Sequence, residues 1–145
     1  MGWRKLTEQE ETTLPQARLG GLLLAAVVAA SLLCLVELAG LIFALDRLLE
    51  IGSRYTVAVT FGGLLSLVFV VMTLLRIPQT PIVISAGLVL WILYRGGVGI
   101  SYGAVAHWPL VVDMLGEFIL AAGFCGYMAG GLRPNAYYRR RIPSV

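Results

Sequence analysis

The chain has 145 residues, 59% hydrophobic and 13% charged, with a formal net charge of +3 and a mean hydropathy of +0.86. A soluble domain is about 45–50% apolar and about 25% charged, so this composition excludes that class, and the scarcity of polar residues excludes disorder. Ten of the eleven cations are Arg, and they stand at the ends of apolar runs rather than on a soluble face, which argues against a nucleic-acid partner.

A polar segment, residues 1–18, carries Glu8, Glu10 and Glu11. The apolar run behind it is much longer than the roughly 7–15 residues of a signal-peptide core, so it is expected to remain as a span. A bilayer core about 30 Å thick takes about 20 apolar residues in helix, and the chain offers four such runs. The first, Leu19 to Leu45, is interrupted only by Glu37; at 1.5 Å per residue it measures roughly 40 Å, so it tilts or projects beyond the hydrocarbon. The second, Val57 to Leu75, contains no charge.

The third run follows the turn signal Pro78-Gln79-Thr80-Pro81 and reads cleanly only from Ile82 to Tyr94. That stretch makes roughly 20 Å of helix, too short to cross. To span from 81 to 102 it must either carry Arg95 through the membrane on an intact helix or break at Gly96-Gly97 and re-enter. The continuous helix is expected, because Gly is common in membrane spans. The fourth run, Leu110 to Gly130, holds Asp113 near its start and Glu117 four residues later, and residues 131–145 form a basic tail. The connecting loops leave no room for a soluble domain. The expectation is one integral membrane domain over 1–145, all-α, folded as a four-helix transmembrane bundle.

Four crossings bring both termini to one side. Arg4, Lys5, Arg18, Arg76, Arg133, Arg139, Arg140 and Arg141 fall on that side, against Arg47, Arg54 and Arg95 on the other. The positive-inside bias then places both termini in the cytoplasm. Tyr94, Tyr102, His107 and Trp108 fall toward the outer boundary, while Tyr137 and Tyr138 follow the inner end of the last span, as suits interfacial aromatics.

Chemistry-bearing patterns are few. Cys34 and Cys125 form no C-x-x-C pair and read as small hydrophobes. His107 is the only histidine, so neither a bis-histidine haem nor a metal site has ligands, and no cofactor is implied. Phosphate-loop, nucleophile-elbow and metalloprotease patterns are absent from the sequence. A lipid enzyme would have to use Asp113 and His107, a weak pairing on a loop.

Ionisable residues at membrane depth are the informative signal. A charge in hydrocarbon costs about 2.5–3.5 kcal/mol on insertion scales, so it needs a partner or a purpose. Helical rise puts Glu37 roughly 27 Å, Arg95 roughly 21 Å and Glu117 roughly 20 Å above the terminal side. Arg95 and Glu117 form the natural buried pair, with Glu37 able to join from the first span. The plain interpretation is a helix–helix ion pair, or charges that snorkel outward. The functional one is a proton or substrate site: a desolvated glutamate can exchange a proton near neutral pH, and Glu37 is the better carrier if Arg95 neutralises Glu117. Small residues also recur at spacing four, Ala122, Gly126 and Gly130 on the last span and Ala26, Ala30 and Cys34 on the first. Such stripes allow close helix packing, by default within the chain.

The most specific string closes the chain: Tyr127-Met-Ala-Gly-Gly-Leu-Arg133-Pro134-Asn135-Ala-Tyr137-Tyr138-Arg139-Arg140-Arg141. It resembles the finish of an uncharacterised family of small four-span bacterial inner-membrane proteins, a domain of unknown function, in which the last helix runs out through a Tyr into Ser-x-Arg-Val-x-x-Thr-Phe. Arg133 matches the family Arg and Tyr138 the closing aromatic, while Gly131, Pro134 and Tyr137 replace the Ser, Val and Thr. The resemblance extends to the four spans and to Arg18-Leu-Gly-Gly21 ahead of the first. It implies fold and a multi-pass place in the bacterial inner membrane, not an activity. Physically, Gly130-Gly131 is expected to end the helix and Pro134 to prevent its resumption. Arg133 and Arg139 to Arg141 would then meet anionic headgroups at about 1 kcal/mol per basic residue, with Tyr137 and Tyr138 at the same interface. These six residues are a stop-transfer anchor or a docking strip for anionic lipid or a cytoplasmic partner.

Two functional expectations result. The first is a non-enzymatic accessory or assembly subunit, with the bilayer and a larger membrane complex or homodimer as partners. The second is a small proton-coupled transporter using Glu37 with Arg95 and Glu117.

Overall fold

The computed structural model describes residues 3–101, 103 and 107–144. Four of its helices are long and apolar enough to cross a membrane, which makes the chain a multi-pass membrane protein by architecture. In chain order the elements are β1 (Trp3–Lys5), α1 (Glu8–Thr13), a 3-10 turn (Pro15–Ala17), α2 (Gly21–Phe43), α3 (Leu45–Ile51), α4 (Ser53–Leu74), α5 (Thr80–Ser101), α6 (Trp108–Gly130), α7 (Leu132–Arg139) and β2 (Arg141–Pro143). The spanning helices α2, α4, α5 and α6 have 23, 22, 22 and 23 residues, or roughly 33–35 Å each, matched to a bilayer core.

Hydrocarbon offers no hydrogen-bond partner, so backbone and hydroxyl groups on these helices must be satisfied locally. Ser31, Thr60 and Ser101 each donate back to a carbonyl one turn earlier, those of Val27, Thr56 and Val98. The third span is one unbroken helix through Arg95-Gly96-Gly97. Tyr102, expected at its outer end, lies outside the described residues.

The first span is shorter than its apolar run. The helix stops at Ala44, and Leu45–Ile51 form a separate helix, α3, ended by Gly52 at φ 140°. Asp46, Arg47 and Glu50 alternate here with leucines, so a break lets the charged face turn away while Leu48 stays close. Thr56 at the start of α4 secures the turn by donating to the Leu48 carbonyl at 2.9 Å. As a result α4 begins at Ser53 and includes Arg54, four residues earlier than hydropathy alone indicates.

The spanning helices stand in a row: α2 packs along α4, α4 along α5 and α5 along α6, while α2 and α6 do not pack along one another. A core of Leu23, Val27, Phe69, Ile84 and Met128 closes the bundle near the end that carries the termini. The small-residue stripe of α6 takes no part in this packing. Ala122, Gly126 and Gly130 are exposed, because α6 turns its Ala121, Phe124 and Met128 face inward and a period of 3.6 puts the stripe on another side.

The tails depart most from expectation. The bundle is all-helical, as expected, but outside it β1 and β2 pair antiparallel, Arg4 opposite Ile142, so the two termini share one end and form a clasp across it. Pro134 does not stop the chain from becoming helical again. It sits in the first turn of α7, where its missing N–H would lack a partner in any case. Tyr137 and Tyr138 are not interfacial; they are 6% and 3% exposed and belong to the core. The Tyr137 hydroxyl donates to the Thr73 carbonyl at 3.0 Å, and the Tyr138 hydroxyl shares a 2.7 Å hydrogen bond with the Thr73 hydroxyl. Burial, partly offset by that bond, pushes the Tyr138 phenol up to about 12.

Arginines complete the clasp. Arg133 donates to the carbonyls of Pro15 and Arg18 at 3.0 and 3.1 Å and fits against Gly20, where a Cβ would come within 3.0 Å of its guanidinium, and beside Gly21, whose φ of 53° favours glycine. Arg76, held at φ 51° just past α4, donates to the Ala17 carbonyl at 2.9 Å and stacks over the Tyr137 ring at 4.6 Å. Glu11 lies 3.7 Å from Arg76 and 3.3 Å from Arg140. Arg4 grips Glu10 with two hydrogen bonds, and Glu10 also closes a capping box with Thr7. Those bonds, the Arg4 one foremost, hold the Glu10 carboxyl down at about 2 instead of 4.5.

Two outcomes follow. Replacing Tyr138 by Phe leaves the buried Thr73 hydroxyl without its partner and should lower stability by about 1–3 kcal/mol in thermal unfolding in detergent. For Glu10 the folded state favours the ionised form, so its contribution is complete above about pH 4.5 and is lost as pH falls toward about 2. Amide exchange at Leu6, bonded to the Arg140 carbonyl, should therefore quicken, after correction for intrinsic rate, from pH 5 to 2 but hold steady from pH 5 to 8.

Candidate functional site

Above the closed core the row of helices leaves a cavity of about 480 Å³, with Ala30 and Glu37 from α2, Gly62 and Ser66 from α4, Trp91 from α5 and Glu117 from α6 among its lining residues. Its wall is largely aliphatic and aromatic. The polar groups gather at one end, because Glu37, Trp91 and Glu117 sit roughly 16–24 Å along their helices from the clasp, while Ala26, Ile84 and Phe124 lie nearer to it.

Glu37 occupies a notch that glycine makes. A Cβ on Gly62 would lie 3.0 Å from Glu37 Oε1, and one on Gly63 only 2.6 Å from Oε2. The consecutive glycines of α4 thus let a carboxylate from α2 rest against a neighbouring helix backbone. The indole of Trp91 reaches the same spot, 3.2 Å from the Gly62 Cβ position, and donates to the Ala58 carbonyl at 3.3 Å. Glu37 itself has neither a hydrogen-bond partner nor a cation within 4 Å among the described residues, and its Oε2 is fully buried.

The other two charges at depth meet each other. Arg95 Nε lies 3.6 Å from Glu117 Oε2, with the Arg side chain 24% and the Glu side chain 35% exposed. Arg95 also approaches the Tyr55 ring at 6.0 Å. Glu37 does not join this pair; it shares the cavity with Glu117. Two carboxylates and one guanidinium leave one negative charge uncompensated when all are ionised, and it resides on Glu37.

The six tail residues divide. Arg133, Tyr137 and Tyr138 are consumed by carbonyls and by the core, and Arg139 donates to Asn135 Oδ1 at 3.2 Å. Arg140 and Arg141 remain exposed, which leaves a docking strip much narrower than the sequence suggests. Among the described residues no cluster of three or more His, Cys, Asp or Glu could hold a metal ion. Sequence reasoning missed Trp91 and Ser66 as cavity residues; the available signal was a glycine pair in mid-span opposite a lone carboxylate.

Gly63→Ala should force Glu37 from its notch and destabilise the protein by about 1–3 kcal/mol, the usual cost of overpacking. Gly126→Ala, which meets open space, should stay within about 0.5 kcal/mol of the parent in the same thermal unfolding series. Comparison with known proteins gives no matching family model, no matching curated relative and no matching solved structure, so the geometry of this cavity is what a functional reading rests on.

Proposed function

We propose that the chain is a small proton-coupled transporter of the bacterial inner membrane, with both termini in the cytoplasm and Glu37 as the exchangeable proton site. One observation carries the reading. The Glu37 carboxyl faces an intramembrane cavity, and no cation or hydrogen-bond donor among the described residues fixes its charge. A carboxyl so placed changes state by taking or losing a proton, or by receiving a cation from outside the chain. Glu117 is held by Arg95 and serves as structural support. Orientation rests on the eight cations at the terminal end, and location on the tail's resemblance to four-span inner-membrane proteins. At that surface Arg139, Arg140 and Arg141 meet anionic headgroups, Arg140 and Arg141 most openly.

A second reading, an accessory or assembly subunit, is favoured by the exposed stripe Ala122, Gly126 and Gly130, which would accept a helix from a larger complex or a second copy at close range.

Reaction with a membrane-soluble carbodiimide separates the two, since only a neutral carboxylic acid within reach of the bilayer is modified. Mass spectrometry should find the adduct on Glu37, formed more slowly as pH rises from 6 to 9 and absent in Glu37→Gln. Glu117 should react at least tenfold more slowly. An unmodified Glu37 would remove the transporter reading and leave the subunit reading in its place.

A further inference from the structure

The cavity is polarised, and its polarity describes a ligand. Carboxylates and the Trp91 indole occupy its outer end, while the remainder is hydrocarbon, save the Ser66 hydroxyl, down to the level of Ala26 and Phe124. Along α2 the distance from Glu37 to Ala26 is roughly 16 Å, and along α6 that from Glu117 to Phe124 roughly 10 Å. The flank between α2 and α6 is the only side without a packed helix pair among the four spans. Leu33 and Leu120 stand on either wall there, 48% and 76% exposed, so the mouth opens sideways.

We infer that the cavity binds a single-chain amphiphile with one positive charge, taken from the bilayer between α2 and α6, its cationic head at Glu37 and its hydrocarbon tail along the slot toward the clasp. This rests on the transporter reading, in which the same carboxyl holds a proton when the cavity is empty. Charge selects the head: a monocation neutralises the cluster of Glu37, Glu117 and Arg95, whereas an anion would raise its net charge to two negatives. Length selects the tail. An extended chain advances about 1.2 Å per bond, so the slot holds about eight to twelve carbons. The lining supplies the rest, because a tail needs no hydrogen bonds and the lower walls offer almost none, while the Trp91 ring suits a cationic head.

The probe is a dodecyltrimethylammonium brominated either beside the headgroup or at the chain end, added to the protein in phosphatidylcholine nanodiscs. Trp3→Phe and Trp108→Phe leave Trp91 as the sole tryptophan, excited selectively above the tyrosine absorption band. Bromine near the head should quench Trp91 saturably and at least threefold more than bromine at the chain end. Dodecyl sulfate brominated at the same positions should give only linear, unsaturable quenching, and Glu37→Gln should weaken the cation's half-saturation at least tenfold. Equal saturable quenching by the sulfate, by a brominated phosphatidylcholine, or with the two bromine positions reversed, would overturn the inference. Should Glu37→Gln not fold, the pair of opposite charges on the unsubstituted carboxyl decides alone. Carbodiimide labelling in the same nanodiscs keeps the two ideas apart: a labelled Glu37 without cation quenching defeats only the ligand class, and an unlabelled Glu37 defeats the proton site.

Discussion

A side chain in hydrocarbon has only its own protein to bond with, and that constraint accounts for most of this structure. Hydroxyls on the spanning helices return to carbonyls of the preceding turn. The Tyr137 and Tyr138 hydroxyls converge on Thr73, and the guanidinium of Arg95 is set against Glu117. Glu37 stands out. Two other buried oxygens in the spans, Glu117 Oε2 and the Tyr127 hydroxyl, also lack a hydrogen bond, but Glu117 has Arg95 beside it and Tyr127 carries no charge. Glu37 differs from both: it is a deep carboxyl with an enclosed oxygen and no compensating cation among the described residues. The glycines at 62 and 63 that receive it are a local arrangement built around that exception, and the cavity beside it gives the exception an outlet.

Much of the architecture was legible in composition and hydropathy, because a lipid solvent imposes a length on every span and punishes every charge inside one. All four spans could be read with errors of at most four residues at their ends, including the continuous helix through Arg95-Gly96-Gly97. What hydropathy missed lies where charge and apolarity alternate. Beyond the first run, which ends at Leu45, the leucines at 48 and 49 belong to a separate short helix that keeps Asp46, Arg47 and Glu50 out of the span, and α4 starts at Ser53 rather than Val57. At Pro134 the sequence signal was read as a stop, although proline in a first turn is a start.

The tails were illegible for a different reason. Their arginines carry two compatible uses, headgroup contact and internal carbonyl capping, and only a three-dimensional neighbour distinguishes them. Arg133 takes the second use because α7 returns toward Pro15 and Arg18, which lie more than a hundred positions away in sequence. The site shows the same limit. Depth by helical rise brings Glu37, Arg95 and Glu117 to similar heights, but rise gives no azimuth. Whether Glu37 met Arg95 or a glycine notch depended on the rotation of α2 against α4.

The antiparallel ribbon has a temporal side. Trp3 pairs with Pro143, so the first strand leaves the ribosome long before its partner exists. At about 5–20 residues per second the wait is roughly 7 to 27 seconds, during which all four spans can insert. The molecule therefore ties its knot last, on a bundle already in the membrane, and a chain that stalls before residue 141 presents that end of the bundle untied to whatever surveys nascent membrane proteins.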